Sequence, residues 1–336
     1  MGNLMKHSGK IGEQMTNSTK PILSIRNLTV ALPVQLERAN AVDNLTFDVR
    51  PKEILCVVGE SGSGKSITSL ATMGLLASSL KVTGGEIDFD GRDVLKLSES
   101  EHNKLRGDRI AMIFQEPMTA LNPAYTVGNQ IEEVLRVHRS FDAAERRERT
   151  LKLLDEVRLP DPERLFNSYP HQLSGGQRQR IMIAMALALD PKLLIADEPT
   201  TALDVTTQKQ ILHLLKQLNA KHDAGIMFIT HDFGVVAEIA DRVVVMRHGQ
   251  IVEQGTADEV LNNPQHPYTR ALIDAVPRRA EDREMTISEN PVVVDVQGLM
   301  KTFHTSGGMF KKSRTVAAVN DISFQVRRGE TLGIVG

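Results

Sequence analysis

Residues 54–76, ILCVVGESGSGKSITSLATMGLL, constrain this chain more than any other stretch. Ile54–Val58 is an unbroken apolar run, the pattern of a strand covered on both faces. From Ser66 onward the pattern is that of a helix. The joint between them, Gly59–Ser66, fits G-x-x-x-x-G-K-[ST] in the strand-to-helix context that this pattern requires. Gly59, Gly62 and Gly64 permit a tight curl and a close approach of backbone to oxygen atoms. With Glu60, Ser61 and Ser63 between them, they leave a row of amides at a helix N-terminus, which is a cradle for phosphate. Lys65 is placed to reach β- and γ-phosphates, and the Ser66 hydroxyl to bind Mg2+.

Two further stretches carry chemistry. LLIADE, Leu193–Glu198, reads as an apolar strand ending in two carboxylates. Asp197 is expected to hold the Mg2+ shell. Glu198, on the opposite side of the strand axis, is expected to orient and deprotonate an attacking water. LSGGQ, Leu173–Gln177, opens the helical run SGGQRQRIMIAMALAL. Ser174 is a good N-cap, and Gly175 and Gly176 bare the amides ahead of Gln177. The result is a second anion-binding helix N-terminus.

Composition removes several classes of function. Lys and Arg number 40 against 42 Asp and Glu, a formal net charge of −2. No nucleic-acid binding through bulk positive charge is expected from that balance. Cys56 is the one cysteine, so a disulfide within the chain is impossible, and its apolar surroundings mark a core residue rather than a reactive thiol. The ten histidines show no metal-site spacing. Residues 1–21 form a polar tail without the apolar centre of a signal peptide. MGNLMK puts Lys6 where a myristoylation site needs Ser or Thr. The longest apolar run, Ile181–Leu189, is stopped by DPK, short of a membrane span. The expectation is a cytoplasmic chain, held at a membrane only by a partner.

Along the rest of the chain, ILSIRNLTV (22–30) and NLTFDV (44–49) alternate as half-buried strands do. RIAMIF (109–114), KLLIAD (192–197) and GIMFIT (225–230) read as buried strands, and 115–189 as mainly helical. DRVVVMRHGQIVEQG (241–255) reads as a hairpin turning at His248–Gly249. Strands alternating with helices indicate an α/β core with a helical insertion around 116–170.

ANAVDNLTFDVRPKEILCVVG (39–59) then returns, without a gap, as VAAVNDISFQVRRGETLGIVG (316–336). Repetition on this scale means a duplicated domain. The polar stretch 278–290 between the copies reads as a linker. Gly336 is the counterpart of Gly59, so the second copy has approach strands but no phosphate loop. Its roughly 45 residues are too few for a core of their own. A poorly ordered tail, or pairing through exposed strand edges, is expected. The domain reading is therefore a tail at 1–21, a nucleotide-binding domain with a C-terminal extension at 22–277, a linker at 278–290 and an incomplete second copy at 291–336.

GESGSGKS, LSGGQ and LLIADEPTTALD together resemble the ATP-binding cassette (ABC) family over nearly the whole of residues 22–277. The resemblance implies a P-loop NTPase fold with a mixed sheet core, an antiparallel β subdomain and a helical subdomain. It also implies hydrolysis of ATP with Mg2+, in a homo- or heterodimer where LSGGQ of one domain completes the ATP site on a second ABC ATPase domain. Gln115 in MIFQEP is similar to the Q-loop glutamine, which contacts Mg2+ and the attacking water and links to the membrane partner. Asp204 in TALD is similar to the D-loop aspartate, and His231 in ITHD to the switch histidine that senses the γ-phosphate.

More narrowly, FQEPMTALNP (114–123) and NPQHPYTRALIDAVP (263–277) resemble the importer ATPases for dipeptides, oligopeptides, nickel and glutathione. That resemblance implies integral-membrane permease subunits, a periplasmic or extracellular solute-binding protein, and a place on the cytoplasmic face of the inner membrane. Soluble ABC ATPases of translation or DNA repair share the ATP motifs, though repair types carry a long coiled-coil insertion that this sequence does not show; an inactive fragment would share them too. A P-loop kinase has no role for LSGGQ and TALD.

Two departures stand out. Many members stack adenine on an aromatic residue ahead of the phosphate loop, and Ala31–Asn40 contains none. PKE (51–53) stands where the second copy has RGE; a positive φ there would strain Lys52, whereas a type I turn accommodates it.

Overall fold

The structure, a computed structural model, describes residues 20–33, 38–116, 120–201, 203–276, 290–305 and 314–334. The polar tail up to residue 19, most of the linker and Gly336 lie outside the described residues. The chain divides into two units, Met1–Pro277 and Arg278–Gly336.

The first unit is built on two sheets. A six-stranded sheet runs in the order β10 (Gln250–Thr256), β9 (Arg242–Arg247), β3 (Ile54–Val58), β8 (Gly225–Thr230), β7 (Leu193–Asp197), β6 (Ile110–Ile113). Its strands are parallel except β10, which pairs antiparallel with β9. Side chains along the central strands alternate between two cores. Ile54, Cys56 and Val58 pack into one with Ala196 and Phe228; Leu55 and Val57 pack into the other with Ile195 and Met227. Burial on both faces is why these strands read as unbroken apolar runs. Each such aliphatic side chain contributes about 1.5–3 kcal/mol. Cys56 is fully buried, and burial pushes its thiol pKa up, so it stays a protonated core residue.

The second core is closed by an antiparallel sheet in the order β2 (Asn40–Val49), β1 (Leu23–Ala31), β4 (Lys81–Phe89), β5 (Arg92–Asp93). β4 and the short helix α2 (Glu99–Leu105) are elements that the sequence pattern hides. Gly84–Gly85 interrupts the alternation of β4, where its pairing with β1 shifts register. α2 is one capping box, Ser98 with Glu101, on two turns of polar residues.

Helix α1 (Lys65–Thr72) leaves the phosphate loop. Between β6 and β7 lie α3 (Val127–His138), α4 (Ala143–Glu156), α5 (Pro162–Phe166) and α6 (Gly175–Leu187), the helical segment that the sequence predicts. α6 starts on a capping box: Gln177 N donates to Ser174 Oγ (3.3 Å) and Ser174 N to Gln177 Oε1 (3.0 Å). α7 (Val205–Lys221), α8 (Phe233–Ile239), α9 (Ala257–Asn262) and α10 (Pro267–Asp274) complete the unit. The β9–β10 hairpin turns at His248 (φ 51°) and Gly249 (φ 88°), the tight turn that the sequence places there.

The turn before β3 departs from the type I expectation. Lys52 has φ 59°. Two bonds hold it there: its N–H donates to Ala224 O (3.1 Å), and its carbonyl accepts from Asn219 Nδ2 (3.0 Å). Gly329, at the matching place in the repeated sequence stretch, takes φ 81° without that cost.

The second unit is an antiparallel pair, β11 (Val292–Thr305) and β12 (Arg314–Arg327). It repeats the β1–β2 register residue for residue. Ile25↔Phe47 and Leu28↔Leu45 in the first are Val296↔Phe324 and Leu299↔Ile322 in the second. The Glu53 carboxylate accepts from Arg50 N at 2.7 Å, and Glu330 from Arg327 N at the same distance. The two strands pair with each other, leaving Val293, Met300 and Phe303 exposed.

Candidate functional site

The strand-to-helix joint folds into a tight nest. A Cβ on Gly59 would stand 2.2 Å from the Met246 carbonyl oxygen, and one on Gly64 2.7 Å from that of Ala41. Both positions are closed to any side chain, so the loop lies pressed against β9 and β2. Lys65 turns back into this nest. Its Nζ donates to Gly59 O (2.6 Å), Glu60 O (2.9 Å) and Ser63 Oγ (3.3 Å). Burial lowers the Lys65 pKa, and the carboxylates of Glu198 and Asp197 oppose that shift.

Ser66 Oγ donates to Asp197 Oδ1 at 3.1 Å, joining the start of α1 to the end of β7. Glu198 follows in a left-handed conformation, φ 46°. That conformation costs roughly 1–2 kcal/mol in a non-glycine residue and turns Glu198 off the strand line. Its carboxylate is held on three sides. Oε2 accepts from Gln115 Nε2 (3.1 Å) and Thr201 Oγ1 (3.0 Å), and Oε1 lies 3.2 Å from His231 Nδ1. Gln115, Glu198 and His231 stand beyond the C-terminal ends of β6, β7 and β8, so the parallel sheet gathers them at one edge.

A cavity of about 240 Å3 lies over these groups, lined by the loop residues Ser61–Ile67 with Gln115, Glu198, Leu32 and Arg38. Arg38 Nη2 donates to Gly62 O at 2.9 Å. Thr201 and Arg38 are residues at the site to which motif reading assigns no role. Arg38 was within reach: in a segment without aromatics, a planar guanidinium is the side chain best able to lie against a base.

Ser174, Gly175, Gly176, Gln177 and Asp204 are not in that cavity. They form a second cluster at the starts of α6 and α7. Asp204 caps α7, its Oδ1 accepting from Thr207 N at 2.9 Å, and the hydrogen bonds from Thr207 hold its carboxyl below the usual range. A Cβ on Gly176 would meet Thr207 Cγ2 at 2.6 Å. Within one chain, the starts of α1 and α6 therefore belong to separate clusters.

The fit to Mg2+ rests on the Ser66–Asp197 pair. Among the described residues no group of three His, Cys, Asp or Glu gathers as a metal site. Two hard oxygens 3.1 Å apart at a phosphate loop suit a cation that completes its shell with phosphate and water. Asp197 is 6% exposed. Burial raises its pKa; the Ser66 bond opposes that shift, and the Glu198 charge adds to it. A folded-state pKa above the ordinary 3.8 means that the folded chain holds this proton more tightly than the unfolded one. Stability then falls as pH rises through the window above 3.8 and stays lower beyond it. Asp197→Asn is thus expected to raise the Tm of the nucleotide-free chain at pH 7 by about 1–4 °C. It should also abolish Mg2+-dependent ATP hydrolysis; calorimetry at pH 5 and 7 checks the sign.

A sequence model described as ABC transporter matches residues 42–201. Another, described as Oligopeptide/dipeptide transporter, C-terminal region, matches residues 252–305. The chain is 48% identical over 321 residues to the Peptidoglycan transport ATP-binding protein YejF of Agrobacterium fabrum, covering 95% of this chain and 58% of that protein. It is 44% identical over 350 residues to the Glutathione import ATP-binding protein GsiA of Escherichia coli, covering 94% and 56%. The chain spans somewhat over half the length of these curated relatives. Among solved structures it is similar to the ATP-binding cassette MJ0796 in a dimeric post-hydrolysis state bound to ADP and Pi, with TM-score 0.62, 32% identity, and coverage of 70% of this chain and 98% of that one. It is also similar to cbiO1 from Clostridium perfringens, part of the ABC transporter complex cbiONQ, with TM-score 0.62, 27% identity, and coverage of 72% and 91%.

Proposed function

The chain belongs to the ABC transporter family, and from that premise we propose that it binds and hydrolyses ATP to energise import through a membrane permease. The cargo is a peptide or a related small solute, of the dipeptide, oligopeptide, glutathione or nickel kind. One observation carries the reading: the phosphate loop, including Ser66, faces a single cavity together with Gln115 and Glu198, and behind that lining Asp197 bonds Ser66 while Thr201 and His231 hold the Glu198 carboxylate.

ATP lies with its phosphates over the loop, where Lys65 exchanges loop oxygens for the β- and γ-phosphates, and with its base beside Leu32 and Arg38. Ser66 and Asp197, with Gln115 alongside, would hold Mg2+, which would supply positive charge against the phosphates. Glu198 takes a proton from the attacking water. The water oxygen bonds to the γ-phosphorus as the bond to the β–γ bridging oxygen breaks, leaving ADP and phosphate. Gln115 and Thr201 fix the carboxylate by donating to it, and His231, 3.2 Å from its Oε1, is the residue that senses the γ-phosphate.

The separation of Ser174–Gln177 from this cavity supports a dimer in which they complete the ATP site of a second ABC domain, with Asp204 at the crossing. ATP binding drives closure, and hydrolysis reverses it. Residues 22–277 form the domain that does this, 278–290 a linker, and 291–336 the start of a second copy, a reading supported by the repeated register of β11–β12.

Coupling runs through an apolar groove of about 310 Å3 between β6 and α6, with Met73, Leu75, Met112, Phe114, Val134 and Met185 along it. Phe114 precedes Gln115, and Met185 lies on the helix that Ser174 caps. An amphipathic permease helix seated there touches both halves of the ATP machinery. Among the described residues no helix is long and apolar enough to cross a membrane. The permease supplies the passage, this chain sits on its cytoplasmic face, and a periplasmic or extracellular solute-binding protein delivers the cargo. Reconstitution with the permease in vesicles tests the reading: ATP-dependent peptide uptake is expected, and none with Lys65→Ala. Undiminished ATP hydrolysis with no response to the permease would overturn the transport role.

A further inference from the structure

α10 carries a tyrosine that meets the phosphate loop. Glu253 Oε1 and Oε2 accept from Gln265 N (2.6 Å) and His266 N (3.1 Å), tying the segment to β10. His266 caps the helix, its Nδ1 accepting from Tyr268 N at 3.1 Å, and Pro267 starts it. These contacts aim Tyr268 inward, where it is 8% exposed, with the Arg247 guanidinium 4.7 Å from its ring centroid. Its hydroxyl accepts from Glu60 N at 3.3 Å.

That N–H belongs to the same peptide plane as the Gly59 carbonyl, which accepts from Lys65 Nζ at 2.6 Å. In a trans peptide the two groups point in opposite directions. Tyr268 and Lys65 therefore grip one plane from its two sides. The plane needs a grip, because Gly59 next to it is free to rotate. Its rotation would swing the Gly59 carbonyl away from Lys65 and change which groups face the phosphates.

We propose that Tyr268 is a positioning residue of the ATP site: it holds the Gly59–Glu60 peptide, and through it Lys65, in the orientation that receives the nucleotide's phosphates. The C-terminal segment is then part of the ATP machinery as well as of the fold. The proposal rests on the reading of the loop as a phosphate cradle.

The test is Tyr268→Phe in the full chain, which keeps the ring, its packing and its contact with Arg247. Amide exchange across Gly59–Gly64 is expected to quicken in the nucleotide-free protein, while β3 exchanges as before. Affinity for Mg-ATP and for ADP is expected to fall about three- to tenfold, the effect of one hydrogen bond. Val260→Ala, in the buried core beneath the same segment, lowers Tm and is expected to leave both readouts unchanged. Wild-type affinity and wild-type loop exchange in Tyr268→Phe would overturn the proposal. So would equal losses in Val260→Ala, because they would make the effect one of general stability. A wild-type chain that bound Mg-ATP no better than Lys65→Ala would instead sink the ATP reading, and the exchange readout would still decide whether Tyr268 holds the loop.

Discussion

Glu198→Gln is expected to lower ATP hydrolysis by a factor of roughly 100 or more, the range for losing a general base, with ATP affinity unchanged within about twofold. The substitution removes the proton acceptor and little else. Gln115 Nε2 and Thr201 Oγ1 still find a carbonyl oxygen to donate to. The left-handed backbone at this position costs glutamine what it costs glutamate. The fold should therefore survive, and Tm should move by no more than a degree or two. Rate is measured as phosphate release by the full chain with its permease, and affinity by titration of a fluorescent ATP analogue. Retention of more than a tenth of the rate would remove Glu198 as the base.

The difference between Glu198 and its neighbours shows what a sequence makes legible. Gly59–Ser66, the Ser174–Gln177 box and the His248–Gly249 turn are chemistry between residues a few positions apart. Their spacing alone specifies a nest, a cap and a hairpin. The double burial of β3, β7 and β8 was also legible, since a short unbroken apolar run between turns suits a strand covered on both faces. Contacts between distant segments were not. Thr201 reaches Glu198 only because Glu198 turns off the strand line. Arg38 matters because it closes over Gly62, and Tyr268 because it meets Glu60 from 208 positions further along the chain. Thr201 and Tyr268 lie inside stretches that mark the family, and Arg38 in a segment without aromatics, but no local pattern specifies these three contacts. Lys52 is the converse case. Its turn looked compatible with an ordinary conformation, and tertiary bonds from Asn219 and Ala224 hold it left-handed instead.

Ser174→Arg is expected to leave ATP binding by the same chain within about twofold while abolishing ATP-driven dimerisation. The first half follows from geometry: Ser174 does not line the cavity where the phosphate loop, Gln115 and Glu198 meet. The second follows from bulk. A guanidinium fills the start of α6, where bare amides would otherwise receive another domain's γ-phosphate. The variant also loses the N-cap bond to Gln177, at a cost of about 1 kcal/mol. Ser174→Ala loses the same cap without the bulk, so dimerisation that survives in Ser174→Ala assigns the defect to blockage. Size-exclusion chromatography with ATP, in a Glu198→Gln background that prevents turnover, reads the association directly. The sharper version mixes two defective chains, Ser174→Arg with its loop intact and Lys65→Ala with its Ser174–Gln177 intact. If the sites are shared between chains, that mixture forms one sound composite site and recovers ATP-dependent association that neither chain shows alone. Dimerisation of Ser174→Arg alone, or no recovery on mixing, would place Ser174–Gln177 outside the partner's ATP site.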